Sequence, residues 1–522
     1  MRTETFRNYS YFQKMKKHLF LFPLLLLHFF SFSQEYHVSV SEKMNLDNGV
    51  IPRPSGDGFI SAAITNNKMQ MGFGFKLNKV RFSLTLRKYD HALNVLKEVP
   101  LSNGERVYGP LPPMLRYICG QLCLVYYQFN SAEENSNLTI MAAAVDTSTL
   151  TLQNARELFV LDQKNYGIFK ADDFFQLHRL IINESPGGSA WMAVWNSGLD
   201  NEVRINVLSN GFQSLWTKKV NPGNGQSIKI YDGCLDTAEK VYLSYTSEID
   251  KNTMEGHILV IQEKGAVTDR QLRMTDGYPY EVRLAPSPGQ PFINVVGTYV
   301  GAGALSGVYS SRLNTGSYSM DAVKITPAPD PVLEDFKKDS WARTSRKEHG
   351  FLPITMEART LADGSVDMIG EFRRTEMGTK AVFILSGVVL WVHFAGAQVF
   401  FNRIPKIRVS AENTIGDSYK AVKWKDRTLV FYNDTEKNLK KDLADEPSRS
   451  DEYKDLVLAG AAMTPDGKIK RELVANLTND NYLALTKQIE NLSSSSFLVY
   501  FVRIKGLGGV TSDIKLAKVD VE

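Results

Sequence analysis

Cysteine is scarce in this 522-residue chain, with Cys119, Cys123 and Cys234 the only three. That excludes a disulfide framework, which a chain long enough to bury its own core does not need. Cys119 and Cys123 flank Gly120-Gln121-Leu122, a turn-like stretch across which they could meet. No other ligand types gather nearby, so they read as buried or bridged thiols, not as a metal site. Histidine is sparse too. Six lie beyond residue 33, namely His37, His91, His178, His257, His349 and His393. None has a second histidine two or four residues on, so each reads as structural and no metal is expected. Also missing are His-Glu-x-x-His, Gly-x-Ser-x-Gly and the phosphate-cradling loop that opens a helix, which removes three well-marked enzyme classes.

Excess charge of one sign is missing as well. The chain carries 61 Lys+Arg and 57 Asp+Glu. Five of those bases and one of those acids fall within residues 1–33, leaving 56 of each in the remainder. A neutral chain offers no electrostatic footprint for nucleic acid.

Long apolar runs are limited to two. The first, Leu19–Phe32, follows Lys14, Lys16 and Lys17 and ends in Ser31-Phe32-Ser33. A basic cluster, a run shorter than a membrane span and a small-residue exit have the order of a secretory signal. The expectation is a signal peptide over 1–33, with Met15 a second candidate start and Gln34 the first mature residue. No cysteine stands at the exit to carry a lipid anchor. The product would be exported to the periplasm, cell surface or exterior. The second run, Ala381–Phe401, is rich in Val, Phe, Ile and Trp, and Ala395-Gly396 interrupts it. Two buried strands joined by that turn are expected, so the mature chain should carry no membrane span.

What the sequence has in quantity is short β-type runs separated by turn residues. Ala190–Trp195, Val203–Leu208 and Gln213–Val220 follow a run from Phe175 to Ile182, and Asn210-Gly211 supplies a two-residue hairpin. The same four-strand unit recurs, its third-to-fourth-strand turn falling at Asp90-His91, Asp146-Thr147, Asn210-Gly211, Lys264-Gly265, Asn314-Thr315-Gly316, Ala395-Gly396 and Asp466-Gly467. No linker divides the chain. Four-stranded sheets at this period are propeller blades.

The fold class is therefore all-β: one large β-propeller over 34–522 with eight four-stranded blades, or seven given the weak pattern of Gly58–Lys76. The last blade would combine three C-terminal strands (Tyr482–Leu492, Ser496–Ile504, Asp513–Val521) with the N-terminal strand Tyr36–Ser41, closing the ring. Pro327, Pro329 and Pro331 lead into Val332–Thr344, whose Leu333, Phe336 and Trp341 have helical spacing. A short helical insertion is expected around 330–345.

Individual chemical signals are weak. Gly301-Ala302-Gly303 and Gly307 precede a strand, so they read as turn glycines. Glu357, Asp363, Asp367 and Glu371 fall around one hairpin, with Asp363-Gly364 as its turn and the others expected in solvent. Trp191 and Trp195 share a strand face and are assigned to blade packing. No Asp-box turn of the sialidase-like kind occurs. No catalytic, cofactor-binding or metal-ligating residue is assigned, and no cofactor is expected.

Arg427–Asn438, Phe401–Lys406 and Ser306–Asn314 resemble the blade strands and turns of exported bacterial propeller-repeat proteins of unassigned function. The resemblance is one of architecture and implies no reaction. The expected function is a non-enzymatic binding or scaffold propeller of the cell envelope or exterior, with a protein or glycan ligand on its blade-loop face. The alternative is a hydrolase or lyase acting on extracellular polysaccharide, its site assembled from distant blades.

Overall fold

The computed structural model describes residues 36–522 except 46–52, 67–81, 102–106, 109–112, 130–136, 162–179, 197–200, 251–252, 302–303, 338–351, 378–381, 412–418, 444, 446–448, 451–454, 465–466 and 506–508. The assigned leader and its exit at Gln34, together with His178, His349 and Trp341, lie outside the described residues.

Eight antiparallel blades form a ring. Blade 1 begins at Arg53–Ser55, blade 2 at Met114–Ile118, blade 3 at Leu180–Glu184 and blade 4 at Ile228–Leu235. Blade 5 has a broken inner strand, Tyr278–Pro279 and Arg283–Pro286. Blades 6, 7 and 8 begin at Leu352–Thr360, Tyr419–Trp424 and Tyr482–Ala484. The weakly patterned stretch after Gly58 contains a full strand, Gly58–Asn66, paired to Phe82–Tyr89, and this fixes eight blades over seven. A short strand, Val107–Tyr108, links blades 1 and 2 into one continuous sheet, a join that the turn pattern did not signal. Blade 8 takes its outer strand from the other end of the chain, with Tyr36 opposite Val521 and Val40 opposite Ala517.

Each junction between neighbouring blades has its own apolar core, because a strand buried on both faces sends alternate side chains to opposite neighbours. In Ala190–Asn196, Trp191, Ala193 and Trp195 enter the core shared with blade 2, and Ala190, Met192 and Val194 enter the core shared with blade 4. Trp191 is fully buried against Phe212 at 5.3 Å, so the two tryptophans pack the blade as expected. The apolar run after residue 381 is the strand pair Val382–Ala395 and Gln398–Ala411, turned at Gly396 with φ 63°. Among the described residues, no helix is long and apolar enough to cross a membrane. The helix after the prolines runs over Asp330–Lys337 and sets Val332 into the junction of blades 5 and 6.

Of the two alternatives for the cysteines, the structure has the unbridged one. All three are free thiols, Cys123 and Cys234 buried and Cys119 partly so, with Cys119 Sγ donating to the carbonyl of Ala190 at 3.5 Å. One expectation is corrected. Asp367 and Glu371 do not face solvent but are fully buried, with partners on the next two strands of their own blade and, for Asp367, also in blade 7. Asp367 accepts from Thr428 Oγ1 at 2.5 Å and lies 2.8 Å from His393 Nδ1, while Glu371 pairs with Lys406 at 2.5 Å. A buried carboxylate survives only when its charge is met in this way.

Candidate functional site in the axial channel

The first strand of every blade lines the axis with one unpaired edge. Exposed backbone groups there need partners, and side chains from neighbouring blades supply them. Arg53 Nε donates to the carbonyl of Leu115 at 3.0 Å, and Tyr117 Oη returns a bond to Pro54 at 2.7 Å. The amide of Cys119 donates to Glu184 Oε2 at 2.6 Å, and Asn183 Nδ2 to Gly233 at 2.6 Å. Arg283 Nη1 reaches the carbonyl of Tyr231 at 2.7 Å, and Thr360 Oγ1 that of Ala285 at 3.0 Å. Arg359 Nη2 donates to Ala421 at 3.0 Å, and Asn433 Nδ2 to Ala484 at 2.8 Å. The ion pair of Arg53 with Glu490 completes the circuit between blades 8 and 1.

These bridges concentrate charge at one level of the channel. Arg53 and Arg116 stand two residues before their strand ends at Ser55 and Ile118, and Asp232, Arg283 and Glu357 stand three before Leu235, Pro286 and Thr360. Lys420 stands four before Trp424. The acids of this girdle are engaged. Glu490 pairs with Arg53, Glu281 with Arg283 and Glu357 with Arg359, the last at 2.9 Å. Asp232 accepts from the amides of Gly233 at 2.8 Å and Leu284 at 3.2 Å. Burial pushes both Asp232 and Glu281 above the usual carboxylate range, with Arg283 opposing the shift in each case.

The cations are less fully matched. Lys229 stands 4.8 Å over the Tyr231 ring. Among the described residues, Arg116 and Lys420 make no side-chain hydrogen bond or ion pair. Crowding by protein lowers the pKa of both; Glu184 opposes the shift at Arg116 and Glu357 opposes it at Lys420, where Arg359, Arg53 and Arg116 add to it.

A second constellation lies outside the channel in blade 4. Ser247 Oγ is 3.3 Å from His257 Nε2, and His257 Nδ1 is 3.1 Å from Asp269 Oδ1. The residue types and order match a hydrolytic relay. Ser247 is only 1% exposed, however, and Tyr245 stacks on the imidazole at 4.8 Å and donates to Asp269 Oδ2. The group ties three adjacent strands together. Among the described residues, no three His, Cys, Asp or Glu side chains are placed to hold a metal ion.

Compared by sequence, the chain matches no family model and no curated protein. Among solved structures it is similar to the polysaccharide lyase Uly1, with 9% identity and a TM-score of 0.38 over 80% of this chain and 91% of that one. An ulvan lyase aligns at 10% identity and TM-score 0.39 over 77% and 90%. A protein of unknown function from Dyadobacter fermentans aligns at 12% and 0.30 over 93% and 99%. Likeness at this level assigns no chemistry to the channel.

Of the girdle residues only Glu357 was named from the sequence, as a solvent-facing hairpin carboxylate, and it is instead paired with Arg359. The only signal was a charged residue recurring a few positions before several first-strand turns, as in Arg53-Pro-Ser55, Leu115-Arg-Tyr117, Val282-Arg-Leu284 and Tyr419-Lys-Ala421.

Proposed function

We propose that the chain is an exported, non-enzymatic binding propeller of the cell envelope or exterior, taking its ligand at the blade-loop face and into the channel mouth. One observation carries this reading. The girdle's carboxylates are each committed to an arginine or a backbone amide, while Arg116 and Lys420 are uncommitted. Committed carboxylates leave no free acid–base pair aimed at a substrate, whereas uncommitted cations are groups that a ligand can engage.

A second reading, a hydrolase or lyase of extracellular polysaccharide, draws on Asp232 and Glu281. Two neighbouring acids held above the usual range are a feature of acid-catalysed bond cleavage. Asp232 weighs against it, because both of its oxygens accept backbone amides. Glu281 is held by Arg283 through Oε1 alone, and its buried Oε2 has no partner among the described residues. The test is to incubate the purified protein with envelope polysaccharides and proteins, then recover and weigh the bound fraction. A ligand retained at unchanged mass supports binding. Shortened or unsaturated products would replace that reading with the enzymatic one.

A further inference from the structure

We propose that Arg116 and Lys420, with Arg53 beside them, form a channel site for an oxyanion, the carboxylate or sulfate group of an entering ligand. The proposal rests on the binding reading above and names the chemistry of what is bound.

The first support is an imbalance of charge. Arg53, Arg359 and Arg283 are each offset by a carboxylate in direct contact, but Arg116 and Lys420 are added to the same level of the channel without an ion pair. Glu184 and Glu357 act on them only from a distance, while already engaged by the Cys119 amide and Arg359. They come from blades 2 and 7, on either side of the seam where blade 8 meets blade 1, and Arg116 is close enough for its charge to act on Lys420. Gathering like charges where protein replaces much of the water raises free energy, and a bound anion would relieve it.

The second support is the donor set. A guanidinium presents a planar fork that matches two oxygens of a carboxylate or sulfate, and an ammonium adds a compact third contact. The pairing of Arg53 with Glu490 shows one guanidinium at this level already holding a carboxylate.

The third support is an approach. Blade 7's inner strand continues outward from Lys420 to Lys423 and, in the turn that ends it, Lys425. Those two lysines line a cleft of about 370 Å³ with Asn491–Ser494. Cations at the edge of that cleft, at the end of the strand that carries Lys420, raise the local concentration of an anion there.

Calorimetric titration at low salt with inorganic sulfate, with trigalacturonate and with neutral maltotriose tests the site. At least one of the anions should bind, and weaken as salt screens the charges. R116M and K420M should each weaken it about tenfold, and R116K should retain most of it. Because relief of like charge stabilises the empty ring, the double variant should melt at or above the wild-type temperature. A structural role would predict the reverse. Tighter sulfate binding would mark a sulfated or free oxyanion, and tighter trimer binding a uronate-bearing glycan. Failure of both anions to bind, indifference to the double variant, or a lower melting temperature would each overturn the site. Maltotriose captured equally by wild type and double variant, with both anions ignored, would overturn the site and leave the binding function standing. Cleavage of a trimer bound through Arg116 and Lys420 would keep the site and remove the non-enzymatic reading.

Discussion

Arg53 and Glu490 pair across the junction where the last blade meets the first, and the same guanidinium donates to Leu115 in blade 2. One side chain thereby connects three successive blades. Both partners are largely shielded, at 21% and 28% side-chain exposure. Arg53→Met should lower stability by about 2–3 kcal/mol, since a partly buried carboxylate and a carbonyl both lose their donor. Glu490→Gln, which keeps an acceptor, should cost less. Denaturant midpoints of the two variants decide the order, and equal midpoints would contradict it.

Closure depends on the N-terminal strand. Tyr36 and Val38 pack into the core between blades 7 and 8, and the hydroxyl of Ser41 accepts from the amide of Leu516 at 2.9 Å. Deleting residues 34–42 should reduce stability by about 3 kcal/mol, the worth of a short paired and half-packed strand. It should also reduce solubility by baring the edge of Gly509–Val521. His37→Ala, on the exposed face, should change stability by less than about 0.5 kcal/mol. Thermal midpoints of the three proteins, measured together, test this.

The buried pair of Glu371 and Lys406 should behave asymmetrically. Lys406→Met leaves a carboxylate without its counter-charge and should cost about 3–5 kcal/mol. Adding Glu371→Leu should recover most of that loss. A double-mutant cycle in urea measures the coupling, and simple additivity would refute it.

Asp434 gives the fold a pH dependence of known sign. Burial pushes its carboxyl up to about 6 from 3.8, although Asn438 Nδ2 and the amide of Thr435 donate to Oδ1 and hold it down in part. The folded pKa is the higher one, so the stability tied to this proton is fully present below about pH 4. It is lost as pH rises through 6, by up to about 3 kcal/mol. Asp434→Asn should flatten stability between pH 4 and 6.5 and raise the midpoint at pH 7.5. Melting curves across that range would show a wild-type slope of the opposite sign if the assignment is wrong.

The parts of the fold that were legible are those whose causes are local. All seven third-to-fourth-strand turns fall between the strands they were assigned to join, because turn residues act over two to five positions. The last blade could be assembled because an unpaired strand at one end matched a three-stranded remainder at the other. Burial of Asp367 and Glu371 was not legible, since Thr428 stands in the next blade and Lys406 two strands across the same sheet, where only the exact register sets it beside Glu371. The girdle was hidden for the same reason. Arg116 and Lys420 are about 300 positions apart in sequence, and nothing around either one announces the other.

The shared eighth blade also sets an order of assembly. During synthesis Tyr36–Val40 is among the earliest described segments to be made, yet its partner Gly509–Val521 is the last. Seven blades can form by local pairing while the first strand waits, its ladder groups open throughout synthesis of the blades between. Only when Gly509–Val521 has been made can that strand dock, so ring closure follows the formation of every other blade.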